Sequence, residues 1–579
     1  MAASRGVRFI ITFLLLAVVT SVIGIVAIYS VLSAEPAVVS NSVLILRVPG
    51  DMSERQTNPL FATLLGGGTT VQSVVDSLRK AKVDSRIRGV ILMPIGAQSL
   101  WGKVQEIRAA VLDYRESGKP IVAFLEYGGT QEYYLASAAD KVFLMPGSPL
   151  DLIGVASYEM FVRGALDKVG AQPDMLNAGD FKTAANFYTE TTMTPAHREM
   201  AESLNRDLYE QVVQGISVSR ELAEGEVARL IDEGPFLPTD ALASGLVDGL
   251  IYADEIKRQP PFDEIDWRVI ADRDYRGVSL ESLGLNQGAR IAVIYAVGAI
   301  NSGSSGIDLT GGEVLGSETL VAALRAARDN DSVRAIVLRI DSPGGSAVAS
   351  DAIWREVLLA KDEKPVVASM SDLGASGGYY IAMAADSIVA QPATLTGSIG
   401  VVAGKIATGG VYEKVGVTVE PVSDGRFAEI YSSVTPFSDD ERIKMQGHVD
   451  AIYEQFLTKA AEGREMTRDD VHELAQGRVW TGRQAQARGL VDELGGLDRA
   501  VAVAKDRAGI DADDEVELVV YPRERSFLDL LSEGFTVTQA AARLGWFPWP
   551  LATLEAATVP MRLFRSGEPL ALMSGTLIP

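Results

Sequence analysis

Short runs that are apolar at nearly every position recur along the chain in two matching series. The first series is Val43–Val48, Gly89–Leu92 and Ile121–Phe124; the second is Ile291–Val297, Ala335–Leu338 and Val366–Ala368. Mixed stretches of helical character separate the runs, at Ser73 to Lys82 and Glu318 to Arg328 among others. A strand apolar on both of its faces belongs inside a sheet covered on both sides, and alternation with helices makes that sheet parallel. The pattern therefore predicts an α/β protein with two related sheets.

The two series are copies of one module. An offset of 246 carries Lys168-Val169-Gly170 onto Lys414-Val415-Gly416, Tyr133-Tyr134 onto Tyr379-Tyr380 and Ala138-Ala139-Asp140 onto Ala384-Ala385-Asp386. The same offset relates Pro146 to Pro392 and Gly154-Val155 to Gly400-Val401, without a gap. Within this register the copies have lost opposite things. Gly374-Ala375-Ser376-Gly377-Gly378 of the second stands where the first has Gly128-Gly129-Thr130-Gln131-Glu132. Conversely, Gly179-Asp180-Phe181-Lys182 of the first stands where the second has Gly425-Arg426-Phe427-Ala428. A serine kept in one copy and a lysine kept in the other suggest a Ser/Lys dyad assembled across the duplication.

Composition narrows the chemistry. Net charge is −23, which repels phosphate backbones and argues against nucleic acid as a partner. There is no cysteine, so disulfides, thiolate metal sites and a cysteine nucleophile fall away, and only three histidines occur, His197, His448 and His472. Neither a metal nor a cofactor is called for. Phe9 to Leu32 is an uncharged apolar run of 24 residues, about 36 Å as a helix, enough to span a bilayer. Arg5 and Arg8 precede it and Glu35 is the first charge after it, which places the N-terminus in the cytoplasm and the bulk of the chain outside. The alternative is a cleavable signal peptide ending near Val31-Leu32-Ser33, but its apolar region is longer than such signals carry.

The expected organisation is a cytoplasmic stub (1–8), a transmembrane anchor (9–32), a first domain (43–252), a connection (253–290), a second domain (291–520) and a tail (521–579). The tail's Gly545-Trp546-Phe547-Pro548-Trp549-Pro550 suits packing on the domain surface, with a membrane interface as the alternative.

Glycines around Ser376 permit a tight strand-to-helix turn that lifts its hydroxyl into a cleft, and free amides of the helix start, Gly377 first, face the same cleft. Asp341-Ser342-Pro343-Gly344-Gly345-Ser346 follows the preceding strand and offers the Gly345 amide as a second oxyanion donor, or is a plain turn needing positive φ. An ordinary lysine ammonium, pKa near 10.4, accepts no proton at neutral pH; desolvation would make Lys182 a usable base. Ser398, replaced by Leu152 in the first copy, either holds that amine or serves its own turn.

Together these strings resemble signal peptide peptidase A in its long, tandem-duplicated form, a family of membrane-anchored bacterial serine proteases. Trp480-Thr481-Gly482 and Gly489-Leu490-Val491-Asp492 match a further family string, and no motif position departs from the pattern. The resemblance reaches from the anchor to about residue 520. It implies a ClpP/crotonase-like fold in each half, Ser376 as nucleophile, Lys182 as base and remnant signal peptides as substrates. It also implies a homotetrameric bowl facing the bacterial inner membrane. Two other readings remain: an α/β-hydrolase esterase pairing Ser376 with His448 or His472, and a non-catalytic membrane scaffold.

Overall fold

The computed structural model describes residues 35–55, 68–96, 99–263, 266–307, 312–522 and 570–573, with Leu16, Thr20 and Gly24 singly. Apart from those three helical residues, the expected anchor lies outside the described residues, as does the tail's aromatic-proline string. Among the described residues no helix is long and apolar enough to cross a membrane.

In the first copy the apolar runs become β1 (Ser42–Pro49), β2 (Ile87–Ile95), β3 (Ile121–Leu125) and β4 (Lys141–Leu144). Between them lie α1 (Val71–Val83), α2 (Trp101–Arg115) and α3 (Thr130–Ala136). One strand, β5 (Gln172–Ala178), leaves this sheet altogether, while β6 (Gly249–Leu250) and β7 (Arg268–Ala271) complete it in the order β6-β4-β3-β2-β1-β7. All its pairings are parallel. Side chains alternate between faces: Leu44, Val90 and Ala123 enter one core, whereas Val43, Ile91 and Val122 enter another. Both faces are covered, which is why the strands read as mostly apolar runs rather than alternating ones. The stretch from Ala253 to Arg290, expected as a connection, differs in supplying β7 to the edge beside β1.

The second copy repeats the plan with β8 (Ala289–Val297), α4 (Ser317–Arg328), β9 (Val333–Ser342), β10 (Gly344–Ser346), α5 (Ala347–Lys361) and β11 (Val366–Ala375). It continues through α6 (Gly377–Ala382), β12 (Ser387–Ala390), β13 (Leu395–Gly397), β14 (Val401–Ala407), β15 (Val479–Thr481) and β16 (Val516–Tyr521). Here β16 edges β8 as β7 edges β1.

The copies are stitched by a third sheet. β5 of the first pairs antiparallel with β14 of the second along its whole length, from Gln172↔Ala407 to Ala178↔Val401. On the other side of β14 lies a short strand from the tail, β17 (Leu570–Leu572), antiparallel both to β14 and to β10. The local order is β10-β17-β14-β5.

Candidate active site

The nucleophile candidate stands at the end of β11, which runs to Ala375 where its first-copy counterpart β3 stops at Leu125. Ser376 itself has φ 56° and ψ −112°, a conformation that costs a non-glycine residue on the order of 1–3 kcal/mol and persists only where its surroundings impose it. They do so through backbone bonds: its N–H donates to Gly397 O at 2.8 Å, and its carbonyl accepts from Tyr380 N–H at 2.8 Å.

The flanking glycines are needed for close approach. A Cβ on Gly377 would stand 2.7 Å from Ser350 Oγ and 3.1 Å from Gly345 N; one on Gly378 would stand 2.7 Å from Ser342 O. The α6 start and the Gly344-Gly345 loop thus meet backbone to backbone. In the first copy the matching positions are Gln131 and Glu132, whose side chains preclude that contact. Gly344 and Gly345 adopt φ of 100° and 153°, and a Cβ on Gly345 would collide with Ile300 O at 2.1 Å.

Lys182 arrives from the other copy. The β5–β14 pairing carries the chain to Gly179, after which Phe181 N–H donates to Gln476 O at 2.8 Å and Lys182 N–H to Gly179 O at 3.1 Å. Behind the lysine lies Gly477, where a Cβ would come within 2.5 Å of Lys182 N, Cα and Cβ. The side chain then reaches Ser376 Oγ at 2.7 Å, Ser398 O at 2.9 Å and Ser398 Oγ at 3.0 Å. All three residues are buried, at 1%, 0% and 1% exposure for Lys182, Ser376 and Ser398. Burial alone, with no carboxylate to oppose it, lowers the Lys182 pKa well below the ordinary lysine value. Ser398 has φ 51°, in the left-handed region, and its carbonyl and hydroxyl both lie within hydrogen-bond range of the Lys182 amine.

Among the described residues no histidine hydrogen-bonds to Ser376. His472 Nδ1 lies 3.0 Å from Tyr453 Oη, and His448 sits on the exposed side of the helix Asp439–Arg464. His197 is buried with Nε2 at 3.4 Å from Glu159.

Two stretches, residues 113–259 and 359–511, match the model of Peptidase family S49, and their starts are again 246 apart. A relative described as "Serine protease SPPA, chloroplastic", from Arabidopsis thaliana, is 35% identical over 85% of this chain and 73% of its own. The chain belongs to peptidase family S49. "Protease 4" of Salmonella typhi is 34% identical over 80% of this chain and 75% of its own. Membership makes the chain a serine protease of the kind those relatives represent. The solved structure of ClpP1 from Listeria monocytogenes aligns with 36% of this S49 chain and 94% of its own, at 17% identity and a TM-score of 0.23. That likeness is too slight to assign a function.

Three features of the site had no readable signal in the sequence. The Ser398 carbonyl is a backbone group, which no residue type announces. Gly477 could be singled out only as one glycine of 55. The tail strand comes from a segment whose expected partner was simply a domain surface.

Proposed function

We propose that this S49 protein is a membrane-anchored endopeptidase whose Ser376/Lys182 dyad is assembled across two ClpP/crotonase-like copies. The observation that carries the reading is the 2.7 Å contact between a buried hydroxyl and a buried amine without an ionic partner. A neutral amine has one lone pair and two N–H donors. Its lone pair takes the Ser376 O–H, and its two donors go to Ser398 O and Ser398 Oγ.

Attack forms the Oγ–C bond, moves the hydroxyl proton to Lys182 Nζ and places the carbonyl electron pair on oxygen. The amides of Gly345 and Gly377 stabilise that oxyanion. Collapse breaks the C–N bond while Nζ returns its proton to the leaving amine. Water, deprotonated by the same amine, then attacks the acyl carbonyl; the C–Oγ bond breaks and Nζ returns its proton to Ser376 Oγ, which frees the peptide acid and restores the dyad.

The substrate reading rests on β17. The chain's own Leu570–Leu572 fills a strand position between β10 and β14, with Leu570 packed among Ala184, Ala185 and Val402. An extended apolar peptide entering the same slot gains backbone pairing on both sides and an apolar wall, the strand-addition mode of peptide recognition. Remnant signal peptides have that chemistry. The Arg5/Arg8 bias and the run to Leu32 support a single-pass anchor in the inner membrane with the catalytic copies outside, and the family resemblance supports a homotetramer.

The deciding experiment is hydrolysis of an apolar signal-peptide fragment by the wild type, Ser376→Ala and Lys182→Ala. Near-complete loss in both variants is expected, with the double variant little worse than either single one, because the two residues act as a unit. Retained turnover in Lys182→Ala would overturn the dyad.

A further inference from the structure

Two strands of the second copy carry the reacting groups: β9 leads into the Gly344-Gly345 loop and β11 leads into Ser376. Their ladder runs regularly from Ile336↔Val366 to Ile340↔Met370 and then resumes at Ser342↔Gly374. β11 therefore holds two extra residues there, a bulge immediately before the site. A bulge of this kind re-aims whatever comes after it. Its geometry fixes where Ser376 and Gly377 stand relative to Gly345.

The bulge is closed by nearly buried charged side chains, two from the strands and one from α2. Asp341 Oδ1 accepts from Leu373 N–H at 3.1 Å, a bond that spans the irregularity. Asp372 Oδ1 accepts from Lys103 N–H at 2.8 Å and so caps the first turn of α2, whose own preceding residue Leu100 provides no side-chain cap. The Lys103 ammonium lies 2.8 Å from Asp341 Oδ2 and 3.4 Å from Asp372 Oδ2. Side-chain exposure is 11%, 10% and 5% for Lys103, Asp341 and Asp372.

The approach is as tight as at the active-site glycines. A Cβ on Gly102 would meet Ser371 O at 2.8 Å. One turn along α2, Glu106 receives Arg339 Nη2 at 2.6 Å, so the i and i+3 positions of the helix answer alternate residues of β9. Burial alone would lower Lys103, yet the attraction of Asp341 and Asp372 raises its pKa well above the ordinary value. Burial, with the neighbouring Asp341 carboxylate, holds Asp372 above the ordinary carboxylate range against the pull of Lys103.

We propose that Lys103 of the first copy is a positioning residue for the second copy's site. Its ammonium bridges Asp341 and Asp372 across the β11 bulge and so sets the spacing between the Gly345 amide and the Ser376–Gly377 turn. The first copy then contributes two lysines, one to proton transfer and one to the oxyanion geometry. This rests on the reading of Gly345 and Gly377 as the oxyanion donors.

The test compares full-length wild type, Lys103→Met, Lys103→Met/Asp372→Asn and Ser376→Ala on one apolar peptide. Active sites are counted by a fluorophosphonate label, and turnover is expressed per labelled site for the three proteins that keep Ser376 and per mole of protein for Ser376→Ala. The double variant removes one negative charge with the positive one, so it keeps the test open if Lys103→Met alone does not fold. Expected is a fall in kcat of between about 10- and 100-fold per labelled site, somewhat less than the loss of one oxyanion donor. KM should stay within about threefold, and the pH limb set by Lys182 should stay in place. Unchanged kcat per labelled site in either folded variant overturns the proposal. A loss that appears only as fewer labelled sites or a higher KM also overturns it, because that is what a merely structural contact would give. An active Ser376→Ala would instead bring down the dyad itself, so the two failures are distinguishable.

Discussion

Gly477→Ala tests the placement of the base without touching any reacting group. Gly477 has φ 81°, and its N–H donates to Ile399 O at 2.7 Å. A methyl there would lie 2.5 Å from Lys182 N, Cα and Cβ, whereas ordinary contact begins at 3.4 Å. All three are backbone or backbone-attached atoms, so no flexible end can swing aside; relief requires a shift of about 0.9 Å. Moved by that amount, the 2.7 Å contact between Nζ and Ser376 Oγ stretches beyond hydrogen-bond range. A misplacement of about 1 Å costs roughly 100-fold in rate, or about 2.7 kcal/mol of barrier. The left-handed backbone adds about 1–2 kcal/mol of strain to stability. Gly509→Ala supplies the control: φ there is 65°, and no atom lies within 4 Å of the added methyl. It carries the strain without the clash. Turnover of a fluorogenic apolar peptide, per titrated site, should fall roughly 100-fold in Gly477→Ala and stay near wild type in Gly509→Ala. Equal rates in the two variants would refute the idea that backbone contact at Gly477 seats the lysine.

The same geometry predicts four further outcomes. The rate should rise with pH through the depressed Lys182 pKa; Lys182→Arg should be inert because a guanidinium stays protonated, and His448→Ala and His472→Ala should leave the pH profile unmoved. Between its depressed folded-state pKa and about pH 10.4 the unfolded chain holds a proton on this lysine that the folded one has released, so within that window wild-type stability rises with pH. Lys182→Met should accordingly melt higher than wild type at neutral pH, by a margin that closes toward about pH 10.4 in calorimetry. Ser398→Ala removes one of two acceptors for the amine while the 398 carbonyl remains, and a loss of about 1 kcal/mol predicts a fall in kcat of roughly five- to tenfold. Deleting residues 570–579 empties the slot between β10 and β14, so the KM for a short apolar peptide should fall; an unchanged KM would mean that β17 does not compete with substrate.

The amino-acid sequence by itself determined the strand-and-helix series, because an apolar run with side chains on both faces has few homes other than a covered parallel sheet. It also named Ser376 and Lys182, since an exact offset between copies exposes what each has lost. Their encounter was decided elsewhere. The two residues are 194 positions apart, and what joins them is the antiparallel pairing of β5 with β14, strands from different copies. Local periodicity predicts a strand but not its partner, because the partner is chosen by which edges remain free once both sheets have formed. The chemistry of Lys182 has the same origin. A lysine flanked in the chain by Phe181 and Thr183 has its pKa lowered only when Ser398, Gly477 and the end of β11 close around it and exclude water. Nothing in the sequence brings Lys103, Asp341 and Asp372 together, for the same reason: burial is a property of the assembled copies, and no single stretch of sequence carries it.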